Sequence, residues 1–281
     1  MKKFCIYGNP TIDIIKLSRR EEYLAYGGGS YYSSIPLLSR GESVEVYAVY
    51  TPRLVGHPIS KLIVKAQHSS RTNTFLLNYT SSGEREVRVL EVSESLYPWN
   101  SHEGLCYTIV NPVLREVSLD MLKYLKHKSL MVAVDIQGFV RFVENGIVKT
   151  RPDPQGISVL SEADVVHLDL EEALSLSGSS NVDYSLMLIS KHVRGVAVVT
   201  VRPSTVFVIT REGSRRVVFE NTPIVADRTG SGDHYLASYF YNYICSNDEL
   251  EASYKAHAET TEWLIKRSSL VKTQANPAVF Q

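Results

Sequence analysis

The sequence has no excess of charge of either sign, because 30 lysines and arginines balance 30 aspartates and glutamates over 281 residues. Nucleic-acid binders and polybasic membrane binders normally carry a basic excess, so neither class is expected. The sequence also contains no apolar run of transmembrane length. With 44% hydrophobic and 21% charged residues, the chain is suited to a folded domain with a large core.

Cysteine is scarce, and Cys5, Cys106 and Cys245 show neither a CxxC pair nor a metal-ligand spacing. Cys5 and Cys106 lie in apolar, strand-like runs, where buried and unreactive thiols are expected. The N-terminal segment reaches Gly8 and Pro10 before the apolar region of a signal peptide is complete. These features predict no disulfide scaffold and a cytoplasmic location.

Several site types lack their defining residues. The first strand-like run ends in Gly-Asn-Pro without the GxGxxG pattern of dinucleotide-binding folds, and no GxxxxGK[ST] loop occurs. Rossmann dehydrogenases and P-loop NTPases are therefore not expected. The histidines also lack a metal-ligand spacing, so surface or loop positions are predicted for His57, His68, His102 and His127.

Short β-rich runs alternate with helical segments along the chain. Strands are predicted at 4–7, 44–50, 105–110, 130–136, 164–168 and 195–201, and hairpins at 74–92 and 206–219. Helices are predicted at 30–40, 58–67, 116–127, 170–176, 183–192, 232–245 and 250–266. This alternation predicts an α/β fold with a mainly parallel sheet, helices on both faces and a small β lid.

The most informative segment is the glycine-rich loop 227–233, which runs directly into a helical pattern. Small residues at a helix N-terminus allow backbone N–H groups to converge on an anion, so Gly230, Ser231 and Gly232 predict an anion hole. Asp233 lies in the first helical turn, where its carboxylate can accept a proton from a hydroxyl. A purely structural role, with Asp233 satisfying backbone donors, is the alternative.

Residues 227–233 resemble the DTxGAGD signature of the ribokinase/PfkB family of carbohydrate kinases, with Ser231 in place of alanine. The family opens with a strand followed by a substrate-binding aspartate, and residues 4–13 look like that opening. The family's GGxxxN signature is similar to residues 27–32, with Tyr32 in place of asparagine. The resemblance thus implies that the acceptor is bound by Thr11, Asp13, Gly28, Gly29 and Tyr32.

Further matches follow in the family's order. Asp169 and Glu172 resemble the ends of the NxxE motif, which implies a role near magnesium and phosphate. Residues 79–87 look like the family's "GeR" hairpin, and 134–141 are similar to the DxQGxxR stretch of some archaeal members. The resemblance therefore extends over residues 3–245.

One segment departs from the family pattern. A TxGxxG-like turn usually lines the nucleotide, whereas this chain continues from Thr200 as Val-Arg-Pro-Ser with neither glycine. The base or ribose of a nucleotide donor would therefore be held differently. Arg228, beside the anion hole, is either a phosphate contact or a solvated loop arginine.

The resemblance implies ATP- and Mg²⁺-dependent phosphorylation of a small sugar, polyol or nucleoside, with Asp233 as base. It places the donor and Mg²⁺ near Asp169, Glu172, Thr200, Asp227, Arg228 and Thr229. It also implies one domain over 1–281 with a lid from about 14–26 and 74–92, as a monomer or lid-mediated homodimer. The short lid favours the inositol- and nucleoside-kinase side of the family. The alternative is a non-catalytic ligand-binding or regulatory protein that retains the kinase fold.

Overall fold

The computed structural model describes residues 1–16, 22–79, 85–98, 101–220, 222, 225 and 227–274. The strands are β1 (Lys3–Tyr7), β2 (Thr11–Lys16), β3 (Glu22–Gly27), β4 (Ser43–Tyr50), β5 (Ile63–His68), β6 (Asn73–Tyr79), β7 (Arg85–Glu91), β8 (Cys106–Val110), β9 (Ser129–Asp135), β10 (Arg141–Glu144), β11 (Ile147–Thr150), β12 (Val165–Asp169), β13 (Val196–Val201), β14 (Thr205–Thr210) and β15 (Gly213–Val218). The helices are α1 (Gly29–Leu38), α2 (Leu119–Lys128), α3 (Gln137–Val140), α4 (Pro154–Glu162), α5 (Leu170–Ser177), α6 (Val182–His192), α7 (Ser231–Ser246) and α8 (Glu249–Gln274).

A nine-stranded sheet forms the centre, in the order β15-β14-β13-β12-β9-β8-β1-β4-β5. The strands from β13 to β5 are parallel, and β14 and β15 add an antiparallel edge. One face packs against α2, α4, α5 and α6, and the other against α1, α7 and α8. Burial on both faces explains the near-continuous apolar runs of these strands. The prediction of a mainly parallel sheet covered by helices is confirmed.

A second sheet of six strands has the order β10-β11-β7-β6-β2-β3. The predicted hairpin at 74–92 is present as β6 and β7, although 80–84 of the "GeR" segment lie outside the described residues. Sequence analysis did not identify β2, β3, β10 and β11. The β10–β11 hairpin had a sequence signal, the Asn-Gly pair at 145–146, which is typical of two-residue hairpin turns. Both residues adopt the positive φ that such a turn requires.

The predicted helix at 58–67 is wrong. Residues Pro58–Lys61 form a single 3₁₀ turn, and Ile63–His68 then pairs in parallel with β4 at the edge of the large sheet. Backbone pairing with an existing strand overrides a short helical periodicity, which carries no information about long-range partners. Helix α4 was not predicted, although Asp153 caps it and Pro154 occupies its first position.

The expectation of separate cysteine thiols is also wrong, because Cys5 and Cys106 are joined in a buried disulfide between the neighbouring strands β1 and β8. Cys245 is a free, exposed thiol. His57 and His102 are fully buried rather than at the surface, and each hydrogen-bonds through its ring nitrogens. Within the described ranges, no helix combines the length and hydropathy needed to span a bilayer.

Candidate active site

A pocket of about 220 Å³ opens where the parallel strands of the large sheet end, and the six-stranded sheet covers one side of it. Strands β9, β12 and β13 each contribute the residue at or next to their carboxyl end: Asp135, Asp169 and Thr200. Ligands bind at this edge of parallel sheets. Every site residue suggested by the sequence lines the pocket except Asp227.

The glycine-rich loop enters α7 at the pocket. Gly230 precedes the helix in the left-handed conformation (φ 82°), and a Cβ there would lie 2.2 Å from the ring of Tyr32. A Cβ on Gly232 would lie 2.9 Å from Cε1 of His167. Glycine is therefore required at both positions by close packing, and at Gly230 also by backbone conformation.

The loop leaves several amides available to an anion. The N–H of Ser231 donates to the carbonyl of Arg228 at 3.0 Å. Of the three residues predicted to form the anion hole, Ser231 is therefore the one whose amide is already paired. In the described part of the chain, the N–H groups of Gly230, Gly232 and Asp233 have no protein acceptor. Unpaired amides at a helix N-terminus, together with the helix dipole, suit a phosphate or a phosphoryl group.

Asp233 is half-buried and lines the pocket. Its Oδ1 accepts a hydrogen bond of 2.9 Å from Nε2 of Gln137. Removal from bulk water, reinforced by the charge of Asp135, raises the pKa of Asp233 to about 6. The carboxylate is therefore ionised near neutral pH and more basic than an ordinary aspartate, as a general base requires.

Asn111 links this carboxylate to the di-glycine segment. Its Oδ1 accepts from Gln137 Nε2 at 3.0 Å, while its Nδ2 donates to Ser33 Oγ at 2.8 Å and to the Gly29 carbonyl at 3.3 Å. Ser33 Oγ in turn donates to the backbone carbonyl of Asp233 at 3.2 Å. One buried polar network thus fixes α1, the end of β8 and α7 relative to each other.

His167 is a site residue that sequence analysis missed. Its Nδ1 lies 2.9 Å from Asp135 Oδ2, and its Nε2 lies 3.2 Å from Thr200 Oγ1. Burial by itself would lower the pKa of His167, but the hydrogen bond and negative charges around it, Asp135 foremost, raise the pKa above its usual value. A histidine inside the apolar strand β12 was the available signal. The ring of His167 lies directly against Gly232.

Asp169 and Glu172 form a reciprocal cap on α5. Asp169 Oδ1 accepts the N–H of Glu172 at 2.8 Å, and Glu172 Oε2 accepts the N–H of Asp169 at 2.9 Å. Glu172 Oε1 also pairs with Arg141 Nη2 at 3.2 Å, with both side chains largely buried. Burial and the adjacent Asp169 raise the pKa of Glu172, while Arg141 opposes that change. Both carboxylate oxygens of Glu172 are therefore in contact with groups of the protein.

The end of the pocket beside β2 combines polar and apolar surfaces. Thr11 and Asp13 of β2 are buried there, and a Cβ on Gly27 would meet both of their side chains. Thr11 Oγ1 has no hydrogen-bond partner among the described residues. Apolar side chains of the six-stranded sheet cover this end: Phe75, Leu77, Val87 and Val148. The arrangement suits a compact molecule that offers hydroxyl groups to one side only.

The other end of the pocket is lined by the segment that lacks the family's glycines. Residues 200–206 lie there, and the peptide bond between Arg202 and Pro203 is cis. Arg228 also lines this end, with its Nε donating to the carbonyl of Val225 at 3.1 Å. Burial and the nearby charge of Arg202 lower the pKa of Arg228. Two arginines that share one pocket wall favour a polyanion.

His234 and Asp227 both contact side chains of α8. The ring of His234 stacks on Trp263, and its Nδ1 lies 3.0 Å from Thr260 Oγ1, so His234 packs against α8. Burial lowers the pKa of His234 to about 3, so it is neutral at physiological pH. Asp227 does not line the pocket and pairs with Arg267.

No protein-family model matches the sequence, and a search of curated proteins finds no relative. A solved structure of a pyrophosphate-dependent kinase in the ribokinase family, complexed with a pyrophosphate analog and myo-inositol, superposes with a TM-score of 0.81. Sequence identity is 23%, over 93% of this chain and 94% of that chain. The chain has the ribokinase fold.

Two further structures share this ribokinase fold at lower identity. Aminoimidazole riboside kinase from Salmonella enterica, complexed with aminoimidazole riboside and an ATP analog, gives a TM-score of 0.73 at 15% identity, over 94% of this chain and 93% of that chain. Adenosine kinase from Sinorhizobium meliloti gives 0.70 at 16% identity, over 91% of both chains. The fold expected from the sequence motifs is confirmed.

Proposed function

We propose that the chain is a ribokinase-family phosphotransferase that phosphorylates a hydroxyl group of a small sugar, polyol or nucleoside. The observation that carries the proposal is that Asp233, with its raised pKa, and the amides of Gly230 and Gly232, which have no acceptor among the described residues, lie in one pocket. A base and an anion hole side by side are the two elements that hydroxyl phosphorylation requires.

In the proposed reaction, Thr11, Asp13 and the Gly28–Gly29 backbone hold the acceptor, with the ring of Tyr32 against it. Asp233 accepts the proton as the acceptor oxygen forms a bond to the terminal phosphorus of the donor, and the bond from that phosphorus to the leaving phosphate oxygen breaks. The amides of Gly230 and Gly232 stabilise the charge on the phosphoryl group in transit. His167, whose pKa is raised and whose ring lies against Gly232, would add positive charge there when protonated.

Mg²⁺ is expected with a phosphate-chain donor, and one carboxylate in the pocket fits it. Asp169 lines the pocket, and within the described residues its Oδ2 has no hydrogen bond. Mg²⁺ commonly binds through one or two carboxylates and keeps several waters. Asp169 would hold the hydrated ion, which would neutralise charge on the donor phosphates. Glu172 would instead keep Arg141 in place.

The donor proposed first is ATP, with Thr200, Arg228 and Thr229 near its phosphates. Inorganic pyrophosphate is the second candidate. It is supported by the loss of both glycines after Thr200 and by the two arginines at that end of the pocket. The solved structure with a pyrophosphate analog and myo-inositol adds support for this donor and for a polyol acceptor. Assays should therefore include both donors.

The six-stranded sheet is proposed to be the lid of a single domain, larger than the segments 14–26 and 74–92 because β10 and β11 belong to it. A non-catalytic binder that keeps the kinase fold is the competing function. It has no need of an ionised, basic carboxylate beside free amides. Phosphate transfer from MgATP and from magnesium pyrophosphate, measured against hexoses, pentoses, myo-inositol and nucleosides, separates the two functions.

A further inference from the structure

Arg267 reaches from α8 to the loop that precedes α7. Its Nη2 donates to Asp227 Oδ2 at 2.7 Å, and its Nη1 donates to the carbonyl of Thr229 at 2.5 Å. The side chains of Arg267 and Asp227 are only 20% and 11% exposed. Two contacts from one planar guanidinium, to two different residues of the loop, fix both the position and the orientation of the loop.

Asp227 also accepts hydrogen bonds from its own loop and from the six-stranded sheet. The N–H of Thr229 donates to Oδ1 at 2.9 Å, and the hydroxyl of Tyr79 on β6 lies 3.3 Å from the same oxygen. The hydroxyl of Tyr23 on β3 donates to Oδ2 at 3.1 Å. One carboxylate therefore connects α8, the anion-hole loop and the covering sheet.

The same guanidinium lies against the ring that packs on Gly230. Its carbon is 5.4 Å from the ring centroid of Tyr32 and 5.4 Å from that of Trp263. The Tyr32 ring packs against Gly230. Arg267 therefore supports the anion-hole loop in two ways, through its hydrogen bonds to the loop and through its contact with the Tyr32 ring. Without Arg267, the buried Asp227 charge would lack its cationic partner, and the loop would rearrange to solvate it.

Resting on the proposed function, we propose that Arg267 is a positioning residue for phosphoryl transfer. Neither Arg267 nor Asp227 lines the pocket, so both act through the loop and not on a ligand. Arg267 holds the Gly230 and Gly232 amides in place and, through Asp227, holds Tyr23 and Tyr79 of the covering sheet against the same loop. In this proposal Asp227 holds the loop in position and does not bind the donor or Mg²⁺.

The test compares Arg267→Ala with Lys266→Ala, which removes a neighbouring, exposed positive charge from the same helix. Hydrogen exchange measured by mass spectrometry on the peptide spanning 227–236 reports loop order without any substrate. Arg267→Ala should raise exchange there by about tenfold or more, because the loop loses its anchor. Lys266→Ala should match the wild type, as should peptides from β8 and β9 in both variants.

Activity gives the second readout. Displacing reacting groups by about 1 Å costs on the order of a hundredfold in rate, so kcat of Arg267→Ala should fall by about that factor while the acceptor KM changes little. Guanidinium chloride at millimolar concentration should restore part of the lost kcat in Arg267→Ala, and equimolar KCl should not. Arg267→Lys keeps the positive charge but cannot make both guanidinium hydrogen bonds, so its exchange and kcat should lie between those of the wild type and Arg267→Ala.

The proposal is overturned if folded Arg267→Ala exchanges like the wild type over 227–236, or if its kcat stays within about twofold of wild type. If Arg267→Ala does not fold, Arg267→Lys is the deciding variant. Wild-type exchange and wild-type kcat in Arg267→Lys would contradict a role for the two hydrogen bonds from Arg267 to the loop. A wild-type protein without turnover would refute the proposed function, and the exchange measurement would then decide on Arg267 alone.

Discussion

Gln137 Nε2 lies 2.9 Å from Oδ1 of Asp233 and 3.0 Å from Oδ1 of Asn111. Since an amide nitrogen carries two hydrogens, Gln137 donates one to each oxygen and aims the carboxylate without protonating it. Its own N–H donates to Asp135 Oδ1 at 2.9 Å, which joins Gln137 to the His167–Asp135 pair. Asp233 and His167 therefore share one hydrogen-bonded support.

The pH dependence of turnover should reflect this environment. With its pKa raised to about 6 by burial and by Asp135, Asp233 loses base activity as the pH falls through 6 and regains it above. We expect kcat/KM for the acceptor, measured at saturating donor, to fall about tenfold per pH unit below pH 6 and to be level above pH 7. A folded enzyme with the same kcat/KM at pH 5 and pH 7 would contradict a proton-accepting role.

Gly230→Ala should be more damaging than an alanine at another left-handed glycine. Gly41 has φ 72°, and no described residue comes within 4 Å of an added Cβ, so Gly41→Ala isolates the conformational cost, about 1–2 kcal/mol. At Gly230 (φ 82°) the added Cβ would also lie 2.2 Å from the Tyr32 ring. Chemical denaturation should show a greater loss of unfolding free energy for Gly230→Ala. Equal losses would show that the close approach to Tyr32 is not rigid.

The arginines at the donor end should affect the donor and not the acceptor. Because Arg202 and Arg228 line the same wall, alanine at either position should raise the donor KM by about tenfold, a typical loss for one charged hydrogen bond. The acceptor KM should change little. Arg216, exposed on β15, provides the matched control. Donor KM values for ATP and pyrophosphate that stay at wild-type levels in both variants would remove the arginines from the donor site.

Much of the fold and pocket could be predicted because the signals are local. A glycine-rich loop before a helix, a strand followed by Asp13 and the Asp169–Glu172 motif each depend on neighbouring residues. His167, Asn111 and Arg267 could not be placed in the same way. Each acts through a partner at least 26 residues away in the chain, and for His167 that partner is Asp135.

The errors have the same origin. A helix is predicted over β5 because the pairing of this strand with β4 is not visible in a local pattern. The Cys5–Cys106 disulfide spans 101 residues of sequence and depends on β1 and β8 being neighbours. Strands β10 and β11 were not identified because they join a sheet whose other strands come much earlier in the chain. Tertiary pairing, which sequence periodicity does not encode, decided each case.

The central claim is that Asp233 is the base of a phosphoryl transfer to a small hydroxyl compound. The most direct measurement is acceptor-dependent release of ADP from MgATP, or of phosphate from magnesium pyrophosphate, by the wild type and by Asp233→Asn. The variant keeps the shape of the side chain and should fold normally. We predict acceptor-dependent turnover in the wild type and a loss of about a hundredfold or more in Asp233→Asn. Turnover within a few-fold of wild type in a folded Asp233→Asn protein would contradict the account.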